Sequence, residues 1–356
     1  MPAAIAAVAA VFIAVPVASA QGQAKQTLIA ANGGSGNFSN LLVLNPKNGS
    51  VYKEVGPIGV AVTGIAEDPA TGVLYGTTGG ADRIAPGYAL TISRRTGAGT
   101  LLGDTDGDPD DTDPVADITF TPDGVLFGWS EDSDDLVRIN KVNGSATVVG
   151  ESGLSTSGSG LASNSQGALV LAGEGDDDEI HRVNRFTGQV TPIRELRGIQ
   201  GYAIAALAFS PDNTLWGARL QDGNLRVSDL ILINTTTGLL PSLGPSVQAL
   251  DALEWIDKPD RKVKLRAKFA GEDVRFRGRI KSKGNQGFCV RGERVLIRRK
   301  GGKGEKAKTV AKLDVSRKGR FKTTIDVHSL PQSFFAHARA NPACRGDKSK
   351  TITVAG

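Results

Sequence analysis

At 356 residues the chain is longer than one ordinary domain and long enough for two, each able to bury its own core. Its formal net charge of +5 conceals a division: 28 Lys and Arg stand against 8 Asp and Glu from Lys258 onward, and 14 against 29 before it. The two cysteines and three histidines are not spaced as a zinc finger, and no nucleophile elbow, Walker loop or dinucleotide fingerprint appears.

Residues 1–20, MPAAIAAVAAVFIAVPVASA, form an uncharged apolar run ending in Ala18-Ser19-Ala20, the pattern read by signal peptidase. Pro16 interrupts the run before it is long enough to span a membrane. A signal peptide over 1–20 and a secreted, extracellular mature chain without a transmembrane segment are expected. No feature calls for oligomerisation, so a monomer is expected.

From Thr27 the chain repeats itself. The phrases VTGIAEDPATGVLYGTT, VADITFTPDGVLFGWS, GSGLASNSQGALVLAG and IAALAFSPDNTLWGAR are each followed by a second phrase such as LTISRRTGAGTLLG or LVRINKVNGSATVVG. The second phrase carries Gly49, Gly97, Gly144, Gly188 and Gly238, at spacings of 48, 47, 44 and 50 residues. That period fits one four-stranded propeller blade, and the Pro-Asp-Gly and Thr-Gly pairs supply the hairpin turns. TLIAANGG at the start matches the second strand of a repeat, whereas Ala249–Trp255 matches only the first. Three strands from one end and one from the other would complete a blade, so residues 27–256 are predicted to form a five-bladed β-propeller, closed without free edges.

Three acidic clusters fall in the longer loops of this region: residues 104–113, 131–135 and 174–179, with 6, 4 and 5 carboxylates. Blade topology places all three on one face. In the first, Asp104, Asp106, Asp108 and Asp110 alternate as calcium ligands do in Asp-rich loops. Pro109 stands where a turn glycine belongs and no Glu follows at the twelfth position, so a solvated charged loop is weighed beside calcium as cofactor. His181, Trp129, Trp216 and Trp255 are read as structural, the tryptophans packing between blades.

The phrase GIAEDPATGVLYGTTGG resembles the recurring phrase of secreted bacterial propellers of the NHL and YVTN-like type, a resemblance covering about Thr27 to Trp255. It implies the fold. Some members of that group are metal-dependent lactonases with acidic and amide ligands gathered at the central channel. The comparable region here offers Asp117 and Asp251, while the matching places in other repeats are Gly64, Gly160 and Ala206.

Beyond Asp257 a linker over 256–262 leads into a basic module, 257–356. VKLRAKF, VRFRGRIKS, RVLIRRK, KTVAKLDV, RFKTTIDV, FFAHARAN and KTITVAG read as seven short strands, as in an immunoglobulin-like β-sandwich. Lys and Arg alternate with Val, Ile, Leu and Phe, so the charges belong outside. Cys289 and Cys344, the only cysteines, are expected to pair in a secreted chain.

The resulting fold class is all-β: a five-bladed propeller followed by a small sandwich. Its expected role is a non-enzymatic binding or scaffold protein, with the alternative of a metal-dependent propeller hydrolase or lactonase. The partners expected are anionic cell-envelope polymer or lipid head groups rather than a specific nucleic acid. The best contact site read from sequence is the hairpin carrying Arg298, Arg299, Lys300, Lys303 and Lys306.

Overall fold

The computed structural model describes residues 25–355 apart from 34–35, 107–112, 155–159, 174–177, 199–201, 222–226, 286, 303 and 328. The predicted leader over 1–20 and the predicted contacts Asp108, Asp110 and Lys303 lie outside the described residues.

Strands dominate, and they gather into repeated four-stranded antiparallel sheets consistent with a β-propeller. β1 (Gln26–Asn32), β2 (Asn40–Leu44) and β3 (Val51–Pro57) open the chain. The second sheet is β4 (Val62–Glu67), β5 (Leu74–Thr78), β6 (Tyr88–Ile92) and β7 (Gly99–Asp104), and the third is β8 (Val115–Phe120), β9 (Leu126–Ser130), β10 (Leu136–Ile139) and β11 (Ala146–Gly150). The fourth is β12 (Gly160–Ser163), β13 (Leu169–Ala172), β14 (Glu179–Val183) and β15 (Val190–Glu195). The fifth is β16 (Tyr202–Phe209), β17 (Leu215–Gln221), β18 (Val227–Ile233) and β19 (Ser242–Gln248). β20 (Leu250–Asp257) then returns to pair antiparallel with β1, setting Leu28 opposite Trp255 and Ala30 opposite Leu253. This is the pairing that the unmatched first and last phrases predict, and it gives β1 a partner on each side, β20 and β2.

The repeat glycines have a packing reason beyond the turn. Gly97 and Gly188 adopt φ of 87° and 75°, and a Cβ on them would lie 2.2 and 2.1 Å from the carbonyl oxygens of Gly56 and Gly150. Each turn is thus pressed against the last strand of the neighbouring sheet, where only a residue without a side chain fits. Between sheets the buried faces interlock: Trp216 packs edge-on against Trp255 at 5.2 Å between ring centroids, and Trp129 is fully buried.

The remaining strands form two further sheets. β21 (Arg261–Ala270) and β22 (Asp273–Ser282) make a long hairpin, and β23 (Arg294–Arg299), β24 (Lys308–Asp314), β25 (Arg320–Asp326), β26 (Gln332–Ala338), β27 (Asp347–Lys348) and β28 (Ile352–Val354) follow. One sheet has the order β21-β22-β25, and the other is built on β24-β23-β26-β27 with β28 also on β26. Val263, Val274, Phe276, Ile280 and Phe321 of the first face Val295, Ile297, Phe334 and Ala336 of the second across one apolar core. Gly278 leaves room for the Phe321 ring, which a Cβ there would strike at 2.0 Å.

The linker expected over 256–262 is mostly strand, because β20 runs to Asp257 and β21 begins at Arg261. Cys289 and Cys344 form a disulfide, as two lone cysteines predict. Together with Phe288 and Ala343 the disulfide joins the buried cluster of Ile58, Val60, Ala252 and Ile256, so it sits where the sandwich meets the first two sheets. Lys53 of β3 reaches across the same junction, donating to the carbonyl oxygens of Phe288 and Arg291.

Candidate functional site

The first strands of the sheets, β4, β8, β12, β16 and β20, are successive neighbours in a closed ring. Gly64 and Gly160 line this ring so tightly that a Cβ would approach the Asp117 Cα at 2.9 Å and the Ala206 carbonyl carbon at 2.9 Å. At these two positions the inner strands therefore approach one another backbone to backbone. Asp117 is fully buried; its Oδ1 accepts from its neighbour Ile118 N at 2.8 Å, and Oδ2 accepts from Leu161 N at 2.9 Å and, more weakly, Leu207 N at 3.4 Å. Burial holds its carboxyl well above the usual range against those amide donors, with Glu254 adding to the rise.

Register corrects one expectation. A bulge in β20 pairs Ala252 with Ala31 and Leu250 with Asn32, leaving Asp251 as the extra residue. The corresponding bulge in β8 pairs Asp117 with Trp129, so Ala252 and not Asp251 occupies the position of Asp117. Asp251 is instead the extra residue of the bulge, and among the described residues no group of three or more His, Cys, Asp or Glu side chains is arranged to hold a metal.

A second acidic constellation, which sequence reasoning missed, lies where the inner strands meet the short turns. Glu67 ends β4 and pairs with Arg94 at 3.0 Å, and Arg94 also donates to the Asp257 carbonyl at 2.9 Å. Glu254 accepts from Trp255 N at 2.8 Å. Burial, partly offset by Arg94, pushes Glu67 up to about 7; burial and then the nearby Glu67 push Glu254 up to about 8. Only the packing of β20 beside β4 brings them together, and nothing in either local sequence signals it.

Both acids are harder to ionise folded than unfolded. Their neutral forms carry no penalty below the unfolded value near ~4.3, the penalty grows as pH rises through about 7 to 8, and it is full above that. The melting temperature should therefore fall between about pH 5 and about pH 8.5, and Glu254→Gln should flatten this slope and raise the midpoint at the alkaline end by roughly 5 °C. Calorimetry of both proteins across that range checks it, and parallel profiles would refute it.

The acidic loops are partly built into their own backbone. Asp104 Oδ1 accepts from Asp106 N at 3.2 Å, Asp106 Oδ2 from Asp113 N at 3.0 Å, and Asp113 Oδ1 from Asp132 N at 3.0 Å. Asp134 is buried and accepts from Trp129 Nε1 at 3.3 Å, and Asp135 accepts from Ser152 N at 3.0 Å. His181 is buried within β14.

The largest uniform charge lies on the sandwich. Alternation buries Val263 and Leu265 and exposes Lys262, Lys264, Arg266 and Lys268 along β21. On β22 it buries Val274, Phe276 and Ile280 and exposes Arg275, Arg277, Arg279 and Lys281. The register then sets like against like: Lys262 faces Lys281, Lys264 faces Arg279, Arg266 faces Arg277 and Lys268 faces Arg275. β25 extends two rows, Arg320 opposite Arg279 and Lys322 opposite Arg277. The acids of this sheet, Asp273 and Asp326, pair with each other at its far end. Like charges directly opposite are destabilising, so this face is not explained by stability.

The predicted hairpin site is partly absorbed into the fold. Arg298 and Arg299 are half-buried in β23, and Arg298 donates to the Ala307 carbonyl across the hairpin. Lys300 and Lys306 are exposed.

No protein-family model and no curated protein sequence matches the chain. Solved structures are similar at low identity. A nidogen–laminin complex aligns at 13% identity and a TM-score of 0.43, over 84% of this chain and 98% of that one. A gluconolactonase from Xanthomonas campestris aligns at 12% identity and 0.41, over 71% and 84% of the two chains. A virginiamycin B lyase from Staphylococcus aureus aligns at 12% and 0.36, over 85% and 95%.

Proposed function

We propose that the protein is a secreted, non-enzymatic binding protein: a five-bladed propeller that carries an immunoglobulin-like sandwich and associates through it with anionic polymer of the cell envelope. The observation that carries this reading is the three-stranded face on which Lys and Arg stand opposite one another in successive rows. Such an array is self-repelling and gains stability when a polyanion supplies the counter-charge. The disulfide and the apolar leader over 1–20 support secretion. Binding is favoured over hydrolysis because Asp117, an acid buried among the inner strands, has both oxygens engaged by backbone amides. The hairpin of Arg298, Arg299, Lys300, Lys303 and Lys306 is an added contact in this reading.

The test uses the mature full-length protein on a phosphocellulose matrix. Retention at about 50 mM salt and release as salt rises severalfold are expected, as counterion release dictates. Neutralising Lys264, Arg266, Arg277 and Arg279 to Gln should abolish most retention, and neutralising the hairpin cations should weaken it less. Passage through the matrix unretained at low salt would sink the proposal.

A further inference from the structure

Resting on the reading above, the geometry of the cationic face points to a narrower ligand: we infer that β22 is a track for a linear, base-free phosphodiester polymer lying along the strand. β22 is the central strand of its sheet, flanked by β21 and β25. Arg275, Arg277, Arg279 and Lys281 occupy every second position on its exposed side. Consecutive cations are thus separated by two residues, six backbone bonds, which span about 7 Å in an extended chain. A polyol phosphate chain also places one negative charge every six or so backbone bonds, so its extended repeat is about 7 Å by the same bond geometry. Charges on polymer and strand therefore stay in step over successive repeats. The neighbouring strands lie about 4.8 Å to either side; β21 sets a cation beside each of the four, and β25 adds Lys322 and Arg320 on the other flank of Arg277 and Arg279.

What the face lacks narrows the ligand further. Among the described residues, none of the large exposed apolar side chains lies beyond Asp257; Phe276 and Phe321 point into the core. Without an exposed ring the face has no platform on which bases could stack, and stacking is what adds affinity for single-stranded nucleic acid. Without an exposed apolar side chain it has nothing to insert among lipid tails. It reads charge and spacing alone.

The experiment measures binding of the mature full-length protein to synthetic poly(glycerol phosphate), to oligo-dT with the same number of phosphates, and to phosphatidylglycerol–phosphatidylcholine vesicles, each over a range of salt. For poly(glycerol phosphate), affinity should rise with length up to about four phosphates. The plot of log affinity against log salt should lose about 3 in slope when Arg275, Arg277, Arg279 and Lys281 are all replaced by Gln, about 0.7 for each contact removed. These are exposed positions whose neutralisation relieves repulsion; should the quadruple variant nevertheless misfold, Arg277→Gln alone should lower the slope by about 0.7. Oligo-dT should bind no more tightly than the glycerol polymer. An unchanged slope in the variants, tighter binding of oligo-dT, or a preference for vesicles would each overturn the inference while leaving polyanion binding intact. Failure to bind any of the three would remove the proposed function as well.

Discussion

Replacing Glu293 by alanine is expected to destabilise the protein by about 3 to 5 kcal/mol, because it strands a buried guanidinium. Arg261 opens β21 with its side chain wholly enclosed. Its Nη1 pairs with Glu293 Oε2 at 2.6 Å, its Nε donates to the Arg345 carbonyl at 2.7 Å, and its Nη2 donates to the Arg339 carbonyl. Glu293 Oε2 also accepts from Asn341 Nδ2 at 2.8 Å, and Oε1 lies 3.5 Å from Lys53 Nζ of β3. An arginine cannot shed its proton at accessible pH, so removing the carboxylate leaves a full charge in the interior. The pair itself need not be stabilising. Arg261→Met combined with Glu293→Leu should recover most of the loss, since apolar replacement of a buried pair is often neutral. Urea denaturation of the parent and the two variants checks this, and a Glu293→Ala midpoint matching the parent would refute it. The loss should also loosen the junction with β3, where Lys53 depends on the same carboxylate.

Asp117→Ala should cost about as much, roughly 3 to 5 kcal/mol, by a different route. The carboxylate joins β8 to β12 and, through a longer contact, to β16, across the centre of the ring. Without it the amides of Leu161 and Leu207 lose their acceptor in a site that water does not reach, at about 1 to 3 kcal/mol each, and a cavity is left. Asp117→Asn should fall between, since one of its two faces must present an amide donor to donors. As burial disfavours the charged form, the parent should gain stability as pH falls and the Ala variant should lose that part of the dependence. Thermal denaturation near pH 5 and pH 8 checks both statements. If Asp117→Ala melted with the parent, the carboxylate would not be what holds the inner strands together.

The sequence by itself determined the strand repeat, the ring closure and the disulfide. Hydrophobic alternation and the turn glycines are local properties that recur each time a sheet is built, and the unmatched terminal phrases leave β20 one partner, β1. Alternation also showed that the cations of β21 and β22 face outward, because the period of two is a property of one strand. Only the tertiary structure decided which charges meet. Arg261 stands on the inward side of β21 with Val263 and Leu265, and its charge is met there by the carbonyls of Arg339 and Arg345, far along the chain. Asp251 looks like a match for Asp117 until a one-residue bulge moves Ala252 into its place. Glu67 and Glu254 become neighbours because the ring closes, and the rows of opposed Lys and Arg exist because β22 pairs with β21 on one side and β25 on the other. The physical reason is common to all four: a sequence period fixes the face of a strand on which a side chain stands, whereas its electrostatic surroundings come from strands distant in sequence, whose register is set by packing.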